Sequence, residues 1–261
     1  MVNSQITKFV TKSGNGAVVY VPSAWMDKKV SVSLIDVDIS EELFYLFKPN
    51  LENVMGVYLY GSYARKEQLE DSDIDILVIA DKKFELKPSK FDIRVIDINT
   101  MKEGIRRNPI IFYSIIHEAK PIINSHLLEE LKNADKRLFN FSWFIRTSKS
   151  ALGIARGFLE LSKQNGIKYA DNSSIYSIML RARGLYIMLC IISGKKYTNE
   201  GFLVFLVNLG AVRELVDKMY DVYRAEKMNK TTSASIPIDG VYKIGLIIER
   251  AMKKYAKKKK S

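Results

Sequence analysis

Gly61-Ser62-Tyr63-Ala64-Arg65, followed downstream by Asp73-Ile74-Asp75, joins a tight turn to a pair of acids. The preceding Val57-Tyr58-Leu59-Tyr60 reads as a buried strand. Gly61 and Ser62 then turn the chain into a short helix whose unpaired backbone N–H groups attract phosphate. Gly61 allows the close turn and Ser62 adds a hydroxyl donor. Downstream, Asp73-Ile74-Asp75-Ile76-Leu77-Val78-Ile79 alternates acid and apolar before becoming wholly apolar. In a strand of two-residue period, Asp73 and Asp75 therefore share one face. Carboxylates held side by side repel, and a divalent cation removes that cost. Mg²⁺, with Mn²⁺ as its substitute, is the expected ion, because it takes oxygen ligands from one or two carboxylates plus substrate phosphates. A nucleoside triphosphate supplies such phosphates, so an enzyme is the leading expectation. The plainer alternative makes Asp71-Ser72-Asp73 a solvated turn and Asp75 a strand-edge residue.

Gly61, Ser62, Asp73 and Asp75 together resemble the nucleotidyltransferases of the DNA polymerase β superfamily, in their minimal form. The pattern of that family is Gly-Ser, a short gap, then Asp-x-Asp on a strand, and the resemblance covers residues 40–130. It implies a third carboxylate on a neighbouring strand, for which Phe91-Asp92-Ile93-Arg94-Val95-Ile96-Asp97-Ile98 offers two acids. Asp92 and Asp97 are an odd number of residues apart and face opposite sides of a regular strand, so only one joins the site. The family places its acid near the start of the strand, which favours Asp92. Asp97 is then a strand-end residue capping the next turn, and Arg94 a surface charge or a phosphate contact. The resemblance implies that Asp73, Asp75 and Asp92 bind metal and carry catalysis, and that Gly61, Ser62 and Arg65 hold the phosphates. The implied reaction moves a nucleoside monophosphate from the triphosphate to an acceptor hydroxyl and releases pyrophosphate.

The chain has 261 residues and is 47% hydrophobic, enough to bury substantial cores in more than one domain. Its longest apolar run, residues 185–192, is too short to span a bilayer, so no membrane partner is expected. The first ten residues lack the pattern of a secretory signal, and a cytoplasmic protein is expected. Cys190 is the only cysteine, which excludes an intramolecular disulfide and a cysteine metal cluster. The net charge of +12 is uneven: from Lys132 onward there are 25 basic and 10 acidic residues. Six of those lysines fall in residues 253–260, a frayed basic helix end or a contact for nucleic acid or an acidic partner.

The flanks differ from the centre. Short strands are expected over residues 6–10, 17–21 and 30–37, with a hairpin turn at Ser13-Gly14-Asn15-Gly16. This segment resembles the swapped-hairpin DNA-binding domains of the AbrB/MazE type, although Asp27-Lys28 stands where a glycine often precedes the final strand. That resemblance implies an interleaved homodimer and DNA contact. Helical periodicity dominates residues 138–164, 173–193, 200–208, 212–228 and 238–255, which resembles the helical bundles, HEPN-type modules included, that accompany small nucleotidyltransferases. HEPN ribonucleases pair an Arg with a following His, but the only histidines here are His117 and His126, and Arg224 is followed by Asn229, so ribonuclease chemistry is not expected. Arg181 and Arg183, and less so Arg213 and Arg224, are candidates to face the cleft. Phe139, Phe141, Trp143 and Phe158 are expected in the core.

The expected fold class is α+β: a β-hairpin module over residues 1–40, a mixed-sheet nucleotidyltransferase domain over 41–131 and a helical bundle with a basic tail over 132–261. The acceptor is open between protein, DNA and RNA. An alternative function is a DNA-binding regulator or antitoxin-like protein whose transferase domain senses nucleotide.

Overall fold

The computed structural model describes residues 6, 8, 10–32, 39–68, 72–86, 91–230, 232 and 235–258. The chain forms two compact units, Met1–Glu42 and Leu43–Ser261.

In the first unit, strands β1 (Thr11–Ser13) and β2 (Gly16–Val18) form an antiparallel hairpin around the expected turn, with Ser13 opposite Gly16. The strands are shorter than the alternation suggested. Described residues 6, 8, 10, 19–22 and 30–32 lie outside any strand, and residues 33–37 of the third expected strand fall outside the described residues. Among the described residues this sheet has two strands, an arrangement that is marginal in water by itself, and Tyr20, Met26 and Val32 are exposed. Asp27 adopts φ +59. An aspartate tolerates this left-handed conformation.

The second unit contains a four-stranded mixed sheet. Helix α1 (Ile39–Phe47) leads into it, followed by β3 (Val54–Tyr60), the short helix α2 (Gly61–Arg65), β4 (Ile74–Ala80), β5 (Phe91–Asp97), α3 (Ile98–Arg107), α4 (Phe112–Glu118), β6 (Lys120–Ile123) and α5 (Ser125–Lys132). The strand order is β5-β4-β3-β6; β3 runs antiparallel to β4 and β6, and β4 runs parallel to β5. Helix α5 was not separated from its surroundings in the sequence. Its start is fixed by Asn124, whose side chain accepts from the Leu127 N–H.

Strand alternation divides the sheet. Tyr58, Tyr60, Leu77 and Ile79 share one core with Met101 and Ile105 of α3, Tyr113 and Ile116 of α4, and Leu127, Leu128 and Leu131 of α5. Val57, Ile76 and Val78, at the intervening positions, are also fully buried. Each such side chain contributes about 1.5–3 kcal/mol relative to exposure.

The bundle consists of α6 (Ser142–Gln164), α7 (Asn172–Ser193), α8 (Asn199–Asn208), α9 (Arg213–Lys227) and α10 (Ile238–Lys258). These spans follow the sequence periodicity closely, except that residues 138–141 precede α6. Helix α7 is long and apolar enough to cross a membrane by length and composition. Here it is the centre of the bundle, packed by α6, α8, α9 and α10 and touching α4. Its buried Ile175, Ile178, Met179 and Leu185 join the same core as the sheet. Phe139 and Phe141 are buried as expected, but Trp143 and Phe158 are not: they are 52% and 60% exposed. Both lie on α6 away from the positions it buries, Phe144, Leu152, Ala155 and Leu159.

Candidate active site

Cross-strand register builds the site. Tyr60 of β3 lies opposite Asp75 of β4, and Asp75 lies beside Asp92 of β5. Laterally paired residues project from the same side of a sheet, so Tyr60, Asp75 and Asp92 form one row across three strands. Asp73 is exposed and sits one residue ahead of β4, at the mouth of the strand. Arg94, two residues beyond Asp92 on the same face, stands 3.9 Å from it. Asp97 is elsewhere. Its carboxylate accepts from the Thr100 N–H at 2.9 Å and caps α3, a role whose replacement by Ala typically costs ~1 kcal/mol.

The glycine of the turn has two reasons to be glycine. Gly61 adopts φ +74, and a Cβ built there would stand 2.0 Å from Asp75 Oδ2. The Asp75 carboxyl thus rests against the bare Gly61 backbone. Burial pushes the Asp75 carboxyl up to about 6, and the Asp92 charge adds to this, while Lys227 and Arg94 oppose it and Glu118 adds again.

Arg65 was expected at the phosphates, but its guanidinium is engaged elsewhere. Nε donates to Glu67 at 2.8 Å, Nη1 donates to Glu118 at 2.5 Å, and the group lies 5.5 Å from the centre of the Tyr197 ring. Glu118 also accepts from the Gly61 N–H at 3.1 Å. The turn is therefore strapped to the end of α4, and the Gly61 N–H expected to face phosphate is taken by a carboxylate. Ser62, in the first turn of α2, is partly buried. Glu67 additionally accepts from the Asn199 N–H at 3.0 Å, which ties the turn to α8.

Arg65 and Glu118 are mostly enclosed, with side-chain exposures of 13% and 19%. Removing one partner leaves the other charge in a desolvated place. Glu118→Ala is therefore expected to destabilise the fold by about 3 kcal/mol, read as a lowered urea midpoint. An unchanged midpoint would show that the strap contributes nothing.

The bundle meets the sheet through aromatic and basic groups. Arg183 of α7 donates from Nε to the Tyr197 hydroxyl at 2.9 Å, and its guanidinium lies 4.9 Å from the centre of that ring. Tyr197 is thus set between Arg183 and Arg65. Tyr223 of α9 stacks on Tyr176 at 5.3 Å and lies 6.0 Å from Tyr220. Tyr220, Tyr223, Arg224 and Lys227 follow helical spacing along one stripe of α9, and the charge of Lys227 acts on Asp75. Of the other candidate arginines, Arg213 is held on the surface by Glu200 and Asp217, whereas Arg224 has no ion pair among the described residues. Sequence reading missed Glu118, Lys227 and Tyr197, which lie in other elements and join the site only through packing.

Among the described residues, no group of three or more His, Cys, Asp or Glu side chains is closed into a ready metal site. The donor set nevertheless fits a hard divalent cation. Asp75 and Asp92 are carboxylates on neighbouring positions of adjacent strands, with Asp73 at the strand mouth, and carboxylate oxygens are the ligands Mg²⁺ takes.

A mixed sheet, a Gly-Ser turn and acids aligned across adjacent strands define a nucleotidyltransferase domain. Residues 41–137 match the polymerase beta nucleotidyltransferase family. Two relatives from Methanocaldococcus jannaschii are provisionally named protein adenylyltransferases. The first is 27% identical over 96 residues, covering 37% of this chain and 87% of the relative. The second is 43% identical over 68 residues, covering 24% of this chain and 69% of the relative. The chain belongs to the polymerase beta nucleotidyltransferase family, and it is a nucleotidyltransferase. A crystal structure of a nucleotidyltransferase-like protein from Exiguobacterium sibiricum is 12% identical and covers 83% of this chain and 75% of its own, with a TM-score of 0.35.

Proposed function

We propose that this nucleotidyltransferase moves an adenylyl group from ATP to a hydroxyl of a protein side chain and releases pyrophosphate. The observation that carries the chemistry is the alignment of Asp75 beside Asp92, with the Asp75 carboxyl seated on Gly61. The choice of donor and acceptor is supported by the names of the two Methanocaldococcus jannaschii relatives.

Asp73, Asp75 and Asp92 would hold the Mg²⁺. Bound there, the metal supplies charge neutralisation for the triphosphate and lowers the pKa of the acceptor hydroxyl. Asp92, about half exposed at the edge of the row, accepts the proton of that hydroxyl as an oxygen base. The Ser62 hydroxyl donates to the terminal phosphates. Lys227, from the opposing helix, adds positive charge near Asp75, so that the bundle and the sheet together complete the phosphate site. Arg65 and Glu118 hold the turn in place and do not touch the substrate.

The test is intact-protein mass spectrometry after incubation with Mg²⁺ and ATP, GTP, CTP or UTP in turn, using candidate acceptor proteins co-purified with the chain. The expected result is a mass increase of one AMP on a protein, with ATP preferred. An increase confined to nucleic acid, or one of equal size from all four nucleotides, would overturn the choice of acceptor or donor.

A further inference from the structure

Three tyrosines of the nucleotidyltransferase domain are almost fully buried in one core, and two of them have partners. Tyr58 donates its hydroxyl to the Asn124 carbonyl at 3.1 Å, and Tyr113 donates to the Lys132 carbonyl at 3.0 Å. Tyr60 is the exception. It is 6% exposed, and its hydroxyl is buried with no hydrogen-bond partner among the described residues. Leaving a buried hydroxyl unpaired costs about 1–3 kcal/mol, and a phenylalanine of the same shape avoids that cost. The hydroxyl also lies among charges that belong to the site. Burial pushes its pKa up, Arg94 opposes this, and Asp75, Asp92 and Glu118 add to it. A phenol is neutral at ordinary pH, so the Tyr60 hydroxyl is available as a neutral donor. It occupies the row of Asp75 and Asp92, directly across the strand pair from Asp75.

We propose that Tyr60 is a positioning residue for nucleotide transfer, its O–H completing a hydrogen bond to the Asp75 carboxylate when that carboxylate turns to take the metal. The inference rests on the nucleotidyltransferase reading of Asp75. A neutral donor suits this place, because it orients a carboxylate without the charge that would compete with a cation. A hydrogen bond to an ionised acceptor is also stronger than one between neutral groups. The unpaired hydroxyl of the metal-free protein is then a donor held in reserve for the liganded state.

The test compares Tyr60→Phe with Tyr58→Phe, which removes a hydroxyl already bonded. Urea unfolding without metal is measured alongside calorimetric binding of Mn²⁺ alone and of Mg²⁺ with ATP. Tyr60→Phe is expected to leave the metal-free urea midpoint unchanged or raised and to weaken both binding reactions about tenfold, the scale of one hydrogen bond to a charged group. It is also expected to lower kcat. Tyr58→Phe is expected to lower the midpoint and leave binding unchanged. If Tyr60→Phe lowers the midpoint as Tyr58→Phe does and binds both ligands like the unaltered protein, the hydroxyl is structural and the inference is wrong. If the unaltered protein binds neither ligand, the nucleotidyltransferase reading of the site fails and takes the inference with it.

Discussion

Asp75→Asn is expected to lower nucleotide transfer by about a hundredfold or more, the scale for losing one electrostatic group at a reacting centre, while stabilising the metal-free fold at neutral pH. The second half follows from the strain on the carboxyl. Burial, with Asp92 and Glu118 beside it, pushes Asp75 up to about 6 against the opposing pull of Lys227 and Arg94. A carboxyl raised in the folded state favours folding most when protonated, so its contribution is full below the unfolded value near 4 and is lost as pH rises through about 6. Asparagine cannot ionise and escapes that loss. The variant should therefore gain on the unaltered protein between about pH 4 and 6 and hold a constant advantage of ~1–2 kcal/mol above pH 7, after solvent screening of a partly buried group is allowed for. Urea unfolding at pH 4 and pH 7.5 in the presence of a chelator reads this directly. A variant less stable at pH 7.5 would mean that the Asp75 carboxylate is well paired in the folded protein.

Gly61→Ala is expected to cost both stability and activity, and for two separable reasons. The positive φ of Gly61 costs a side-chain-bearing residue roughly 1–2 kcal/mol. Its new methyl carbon would also stand 2.0 Å from Asp75 Oδ2, 2.9 Å from Cγ and 3.3 Å from Cβ. The β4 backbone is held by ladders on both sides, so the Asp75 side chain must swing away and the row of Tyr60, Asp75 and Asp92 is broken. The total loss should reach about 3 kcal/mol, the upper range of ordinary substitutions, with transfer reduced about as far as by Asp75→Asn. Combining Gly61→Ala with Asp75→Ala removes the two shortest contacts and leaves the backbone cost and the 3.3 Å approach to Cβ. The double variant should thus be less destabilised than the sum of the two single ones, a coupling expected for groups in contact. Additive losses would show that the glycine serves the turn alone.

The elements that follow a clear period were legible in the sequence. The strand through Leu77 and Val78 and the bundle helices are long or strongly patterned, and their bounds agree with the structure to within a few residues. The two-residue period of a strand puts Asp92 and Asp97 on opposite faces, and the family resemblance favours Asp92; the structure sets Asp92 beside Asp75 and Asp97 at a helix cap. What could not be read depends on distance along the chain. Glu118 is 53 residues from Arg65 and 57 from Gly61, and nothing local to an acid at a helix end says that it will strap a turn. Arg65 was likewise expected at the phosphates without sight of Glu118. Lys227 on α9 and Tyr197 in the connection between α7 and α8 reach the site through helix packing that periodicity does not orient. The exposed Trp143 and Phe158 are the reverse case, large apolar residues whose size suggests a core but whose place on α6 is its outer side.

The most direct test of the central claim is transfer from ATP labelled at the α-phosphate, in Mg²⁺, by the unaltered protein and by the Asp73→Ala/Asp75→Ala double variant. Label is expected to move to an acceptor with the unaltered protein and not with the variant, whose fold is checked by circular dichroism. A folded double variant that transfers label as well as the unaltered protein does would contradict the assignment of these carboxylates to the reaction.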